Sequence, residues 1–264
     1  MLTNLSGSTR VVPIVGDPIA QVKSPAGVTA AFEAREQNAV CVPMHIEATD
    51  FTAFMQLVRR WHNCTGVIVT VPHKFAAFEA CDTTSERASI LRTVNTIRRC
   101  ADGQLHGDMF DGLGFVASCK DKGCAFEGRR ALLVGAGGAG TAIAHAVAAE
   151  RVALLGIADM DAIRRDALVA HLARAGFPVE ACGADATSFD IVLNATPMGM
   201  RPGDALPVPA SALTSATFVG DVVTEPDPSP LIAAARAQGC RTSTGSDMFA
   251  KVRDLMVDFL LTGR

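Results

Sequence analysis

The chain has 264 residues, of which 49% are hydrophobic and 19% charged, a balance that supplies buried cores and excludes an extended disordered polymer. Single cores stop growing near roughly 250 residues, so two modest domains are expected. A net charge of -3, with no run of Lys or Arg longer than two, argues against a nucleic-acid or anionic-membrane partner and for small-molecule ligands.

Apolar, β-rich runs alternate with segments of helical period from the start: strand 11–16, helix 25–37, strand 40–46, helix 50–62, strand 66–71 and helix 73–80. That order predicts a parallel sheet covered by helices. Short extended pieces at 93–99 and 104–107 follow, then a helix at 110–120. The polar stretch KDKGCAFEGRR (120–130) opens a second alternation, with strand 131–134, helix 138–150, strand 152–158, helix 161–175 and strands 177–182 and 190–194. The fold class is therefore α/β, with a second α/β domain beginning near 105–130. The tail, 246–262, sets Met248, Phe249, Val252, Leu255, Met256, Phe259 and Leu260 near helical spacing and has no place in the second sheet, which predicts a helix packed back on the first domain. Domain borders are drawn at 1–106 with 246–264, and at 107–245.

The first residues lack a basic leader ahead of an apolar stretch, and no apolar run nears the roughly 18 residues of a membrane span, so a cytoplasmic protein is expected. Eight cysteines without a C-x-x-C pair read as reduced core residues. The six histidines show no ligand spacing, and no metal is expected.

Two stretches carry chemistry on their own. In VTVPHK (69–74) a strand ends in proline and Lys74 follows at once; most such lysines are solvated charges, but one at a strand end that opens onto a cleft can move protons. In RALLVGAGGAGTAIAHAVAA (130–149) the run Gly135-Ala136-Gly137-Gly138-Ala139-Gly140 sits between a strand and an Ala-rich helix. There the first glycine makes the turn, the second admits a pyrophosphate, and the helix N-terminus faces its charge. The rival reading is a tight helix–strand crossing that needs small residues. The next strand ends in Asp159, twenty-four residues after Gly135, where a carboxylate accepts ribose hydroxyls and repels a 2′-phosphate; NAD is expected in preference to NADP. Arg164 and Arg165 read as a solvated face of the following helix, although a guanidinium close to the ribose would accommodate the phosphate.

Taken together, GDPIAQVKSP (16–25), VTVPHK (69–74), TVNT (93–96), GDMFDGLGF (107–115), VGAGGAG (134–140), NATPMGM (194–200) and GDVV (220–223) resemble in order and spacing the shikimate/quinate dehydrogenase family, over about residues 11–263. The resemblance implies an N-terminal α/β domain for a cyclic hydroxy acid, a Rossmann domain for a nicotinamide dinucleotide, and a C-terminal helix returning to the first domain. It implies Lys74 and Asp111 as the catalytic pair, with Ser24, Thr70, Asn95 and Asp111 on the substrate. It implies a cofactor set of Gly135, Ala136, Gly137, Gly138, Ala139, Asp159, Asn194, Thr196, Pro197, Met198, Val222, Gly245 and Met248. Ser24 reads equally as the N-cap of a helix beginning at Pro25, Asn95 has a rival reading as a turn residue, and His73 reads as a surface residue.

The pattern breaks in the substrate pocket. Val22 stands where the family has a carboxylate-binding serine, Ile68 where it has an asparagine, and Met109-Phe110 where it has Asn-Thr before the aspartate; the usual helix glutamine falls at Val252 or Arg253. An Arg253 turned into the cleft would bind the carboxylate that Val22 does not. Each lost hydrogen bond to a charged group costs about 1.5–3 kcal/mol, which predicts a bulkier, less hydroxylated or otherwise different cyclic acid. The expected function is an NAD-dependent dehydrogenase of a cyclic hydroxy acid (shikimate, quinate or an analogue), as monomer or homodimer. Its rivals are a non-catalytic NAD-binding sensor and a dehydrogenase of another ring, such as an aminoshikimate or folate-type compound.

Overall fold

A computed structural model describes residues 5–20 and 22–262. They form two compact units, one running up to Phe110 and resuming at Val252, the other Asp111–Lys251; the expected borders lay four to six residues earlier.

The first unit contains β1 Arg10–Gly16, α1 Ser24–Glu33, β2 Ala39–His45, α2 Phe51–Arg60, β3 Gly66–Val69, α3 Lys74–Ala80, β4 Thr83–Thr84, α4 Glu86–Leu91, β5 Thr96–Arg99 and β6 Leu105–Asp108. Its sheet runs β2-β1-β3-β5-β6-β4. The parallel sheet expected here holds for β2, β1 and β3; β5 is antiparallel to both its neighbours. The gap 100–104 explains the second of these pairings, β5 with β6, because a parallel link needs a crossover of roughly a dozen residues. Helix α2 buries Phe51, Phe54, Met55 and Val58, the i, i+3, i+4, i+7 stripe that the sequence shows. Helix α1 ends four residues before its expected limit, where Glu36 takes a left-handed φ of 55° and Gln37 N–H bonds back to Phe32 O at 2.9 Å. Helix α4 was not expected; the Ser85 hydroxyl caps it by accepting from Ala88 N–H at 3.2 Å.

The second unit contains α5 Asp111–Asp121, β7 Arg130–Val134, α6 Gly138–Ala149, β8 Leu154–Ala158, α7 Ala162–Arg174, β9 Val179–Ala181, β10 Ile191–Asn194, β11 Phe218–Asp221, α8 Pro230–Ala237 and β12 Arg241–Ser243. Its sheet, β12-β11-β10-β7-β8-β9, is parallel at every pairing. Read from β9 this is the doubly wound order, whose direction reverses between β7 and β10; ligands of such sheets bind outside the carboxyl ends of those strands.

Helix α9, Gly245–Leu261, belongs to the first unit from Val252 onward. There Arg98 Nη1 donates to Thr262 O at 2.9 Å and to Phe259 O at 3.3 Å, its guanidinium lies 4.9 Å over the Phe259 ring, and Arg35 pairs with Asp258 at 3.0 Å. Among the described residues no helix is long and apolar enough to cross a membrane.

Candidate active site

The candidate substrate site grows from the end of β3. All four residues of that strand are buried, and Val69 N–H donates to Asn95 O at 2.7 Å while Thr70 N–H donates to Val15 O at 2.9 Å. The chain then turns, with His73 N–H on Thr70 O at 3.0 Å, and α3 begins at Lys74, whose carbonyl accepts from Val94 N–H at 3.0 Å. One edge of the sheet thus gathers Thr70, Lys74 and Asn95. Lys74 is 9% exposed and Asn95 2%, so neither is a solvated surface group. His73 is not at the surface either: its ring stacks on Phe51 with centroids 4.7 Å apart, and Nε2 meets Ile46 O at 2.7 Å. Burying an imidazole requires such a partner.

Asn95 holds its neighbours. Its Oδ1 accepts from Phe110 N–H and from the Thr96 hydroxyl, both at 3.1 Å, and its N–H donates to Asp108 O at 3.0 Å. Asp111, the residue after Phe110, opens α5 and is 7% exposed; the first turn of a helix favours a carboxylate. Ser24 is the first helical residue of α1 and buried, while the cap position falls on Lys23, so the N-cap reading of Ser24 does not hold.

The positions that depart from the resemblance have structural duties. Ile68 pairs with Ile14 and Thr96 inside the sheet. Phe110 packs edge-on against Phe259, centroids 5.4 Å apart, with the Arg87 guanidinium 5.0 Å over its ring. Arg87 also pairs with the Asp108 carboxylate and donates to Met109 O at 3.1 Å, and Ser85 donates to the same carboxylate. Val252 is buried, whereas Arg253 directs Nε and Nη2 to Asp254 at 3.0 and 2.9 Å. Val22 is half-buried in the turn before α1.

In the second unit the glycine turn is made by backbone. Gly135 takes φ 108°, and a Cβ there would lie 2.9 Å from Ala195 C; a Cβ on Gly140 would lie 2.0 Å from Gly135 O. Only glycine permits this turn and this approach. Gly137 caps α6, Gly138 and Ala139 open it, and Ala136 is buried. These features fit a pyrophosphate: small residues leave room above the N-terminus of a twelve-residue helix. Asp159 has a duty the sequence does not show. Its Oδ2 accepts from Ala136 N–H at 2.6 Å and its Oδ1 from Asp161 N–H at 2.8 Å, tying the end of β8 to the glycine turn. Arg164 is exposed, as a solvated face requires, and its Nη1 lies 4.0 Å from where a Cβ on Gly137 would be, beside the turn; Arg165 pairs with Asp166 at 2.8 Å.

The remaining cofactor candidates form a second group. Asn194 Nδ2 donates to Asp221 at 2.9 Å, and its Oδ1 accepts from the N–H and hydroxyl of Thr196 at 3.0 and 2.6 Å. Met198 N–H donates to the Thr196 hydroxyl at 3.2 Å, and Val222 N–H to Asn194 O at 3.1 Å. Pro197 is exposed between them. Gly245 lies flat on the Val222 and Val223 carbonyls, with Met248 buried one turn further along α9. Burial raises the pKa of Asp221, against hydrogen bonds from Ser229, Val223 and Asn194 that lower it. All eight cysteines are free; burial pushes Cys41 up to about 12 and Cys64 to about 11, which keeps both thiols protonated. Among the described residues no cluster of His, Cys, Asp or Glu could hold a metal ion.

Comparison with known proteins places this geometry. Residues 14–97 match the shikimate dehydrogenase substrate binding domain. The shikimate dehydrogenase (NADP(+)) of Rubrobacter xylanophilus is 35% identical over 250 residues, covering 92% of this chain and 88% of that protein. The enzyme of the same name from Symbiobacterium thermophilum is 34% identical over 253 residues, covering 92% and 85%. Among solved structures, the quinate dehydrogenase of Corynebacterium glutamicum in complex with NAD matches with a TM-score of 0.88 at 29% identity. The ligand-free 5-ketofructose reductase of Gluconobacter sp. strain CHM43 matches with a TM-score of 0.87 at 28% identity. Each match covers 97% of this chain and 94% of the other.

Proposed function

The chain belongs to the shikimate dehydrogenase family, and from that premise we propose that it catalyses reversible hydride transfer between NAD(P) and a secondary hydroxyl of a cyclic hydroxy acid of the shikimate or quinate type. It is an NAD(P)-dependent oxidoreductase acting on a CH–OH group. The nicotinamide, when bound, accepts or supplies the hydride. This chain's residues do the rest. As the carbinol carbon is oxidised its hydroxyl proton needs a base, and in the reverse direction the carbonyl oxygen needs an acid; Lys74 takes both parts. Asp111 bonds the reacting or adjacent hydroxyl, Asn95 and Thr70 hold ring hydroxyls, and Ser24 bonds the carboxylate. The observation that carries this reading is the lacing of Lys74 to the Val94–Asn95 segment at the end of β3, in a chain that also has the glycine turn. Retention of Lys74 and Asp111 weighs against a non-catalytic sensor, and a cytoplasmic location accompanies the reading.

Within NAD(P), the carboxylate of Asp159 supports a preference for NAD. Each of its oxygens already accepts one backbone N–H and retains lone pairs for ribose hydroxyls, while its charge opposes a 2′-phosphate. The relatives carry NADP(+) in their names, which weighs the other way, whereas the quinate dehydrogenase of similar fold is in complex with NAD.

A second substrate reading is favoured by one position. Val22 offers no hydrogen bond where a carboxylate would be held, and a 5-ketofructose reductase shares the fold, which suits a neutral keto sugar. A turnover screen followed at 340 nm, with NAD(H) and NADP(H) in parallel against shikimate, quinate and 5-ketofructose, decides. Turnover of a ring acid supports the first reading. Turnover of the keto sugar alone replaces it with the second, and no turnover on any compound removes both.

A further inference from the structure

The glycine turn after β7 and Asp159 after β8 serve the pyrophosphate and the adenosine ribose in this reading, which leaves the other half of the doubly wound sheet, the ends of β10 to β12, for the nicotinamide. The remaining expected cofactor residues lie there on three segments: 194–198, Val222 and the turn at Gly245. All three are fastened to one residue, the aspartate of the GDVV stretch, to which neither the resemblance nor the proposed mechanism gives a role. Asp221 ends β11 and has no exposed surface. Its Oδ1 accepts from Asn194 Nδ2 at 2.9 Å and from Val223 N–H at 3.0 Å. Its Oδ2 accepts from the hydroxyl of Ser229, which in turn caps α8 by accepting from Ile232 N–H at 3.2 Å. Through Asn194 the chain of bonds runs on to Thr196 and Met198. Through Val223 it fixes the carbonyls on which Gly245 rests, since a Cβ on Gly245 would lie 2.3 Å from Val223 O and 2.6 Å from Val222 O.

The partners of this carboxylate share a property: each is a neutral donor. An asparagine at 221 would serve the same geometry, its amide oxygen accepting from Asn194 and Val223 and its amide nitrogen donating to the Ser229 oxygen. Geometry alone therefore does not require the charge, and a charge buried among neutral groups is costly. Such a charge is also poorly screened and acts on whatever binds nearby. The oxidised and reduced dinucleotides differ by one positive charge, carried on the nicotinamide ring.

Building on the reading that the second unit binds NAD(P), we propose that Asp221 is the positioning residue of the nicotinamide half and that the negative charge of its ionised carboxylate makes the site favour the oxidised, cationic ring over the reduced, neutral one. The charge acts through space, and the hydrogen bonds set where the ring lies.

Calorimetric dissociation constants for NAD+ and NADH, measured on the full chain, its Asp221→Asn variant and its Ser229→Ala variant, test this. Asp221→Asn keeps the bonds and removes the charge, so affinity for NAD+ should fall by about tenfold relative to NADH. Ser229→Ala keeps the charge and loosens the anchor, so both forms should weaken while their ratio stays at the parent value. An unchanged ratio in folded Asp221→Asn overturns the inference, as does an equal change of ratio in both variants. Should Asp221→Asn not fold, Asp221→Ser replaces it under the same criterion. A parent that binds neither form removes the dinucleotide reading and this inference together, whereas binding with an insensitive ratio removes the inference alone.

Discussion

The glycine turn of the second unit and the strand ends of the first are prepared for their ligands by different means. The turn is made of backbone: a left-handed Gly135, a flush Gly140 and the N-terminus of α6. A surface built from N–H groups and missing side chains fits any pyrophosphate, so it is shared by many chains whatever they oxidise. At the end of β3 the groups we propose to work on the substrate are side chains, Lys74, Asn95 and Thr70, on a frame that their own backbones lace together. There one substitution can change the substrate and leave the frame intact. Reaction type is thus legible where substrate is not.

The largest effect should come from removing the group on which the chemistry rests. Lys74→Ala is expected to lower turnover by roughly 10²–10⁴ and to leave the dinucleotide dissociation constant within about twofold of the parent, because no part of the glycine turn changes. Stopped-flow turnover and calorimetry on the same preparation check both halves. A variant that turns over like its parent would dissolve the contrast between the two regions.

A sharper form of the comparison lies inside the first unit, between Phe110 and Val22. Both replace polar residues of the resembling pattern, yet the structure gives them different weight. The Phe110 ring is held between Arg87 and Phe259, so Phe110→Thr should destabilise the fold by about 2–4 kcal/mol through lost packing, read as a lower urea midpoint. It should bring no gain on shikimate. Val22, half-buried in a turn, has no ring to lose, and Val22→Ser should raise kcat/KM for shikimate by about tenfold, the value of one restored hydrogen bond to a charged group. The opposite pattern, a stable Phe110→Thr with improved turnover and an inert Val22→Ser, would move the specificity determinant to Phe110.

These two residues also show where sequence reasoning stops. The periodic elements were legible through β10, apart from the two-residue β4, because alternation and helical spacing are local. Helix α4, with six residues, is too short to show a period, although Ser85 followed by Glu86 was a usable start signal. The segment after β10 carries β11, α8 and β12 among prolines and loops that blur the pattern, yet Ser229-Pro230 marks a helix start there. The duties of His73, Phe110 and Asp221 depend on partners far along the chain, Ile46, Phe259 and Asn194, and no spacing rule reports such pairs.

The smallest expected effect concerns the edge of the dinucleotide site, where backbone and side chain meet in one residue. Asp159 fastens the glycine turn through Ala136 N–H, and in the function proposed here its charge bears on the choice between NAD and NADP. Asp159→Ser separates the two roles only in part. A serine oxygen, one bond shorter in reach, should hold Ala136 less well, so both cofactors should bind more weakly by a common factor. The charge acts on the ratio alone. A 2′-phosphate brings about two negative charges, so removing a carboxylate beside it relieves repulsion for NADP, while NAD loses an acceptor for its ribose hydroxyls. The preference for NAD should therefore shrink by about three- to tenfold, measured as the ratio of kcat/KM values for the two cofactors. Arg164, close to Gly137, should then contribute more to NADP binding once the neighbouring carboxylate is gone, so that adding Arg164→Ala to Asp159→Ser reverses part of the gain. A parent that already prefers NADP would show that Asp159 serves the turn and that the arginine, rather than the carboxylate, sets the choice.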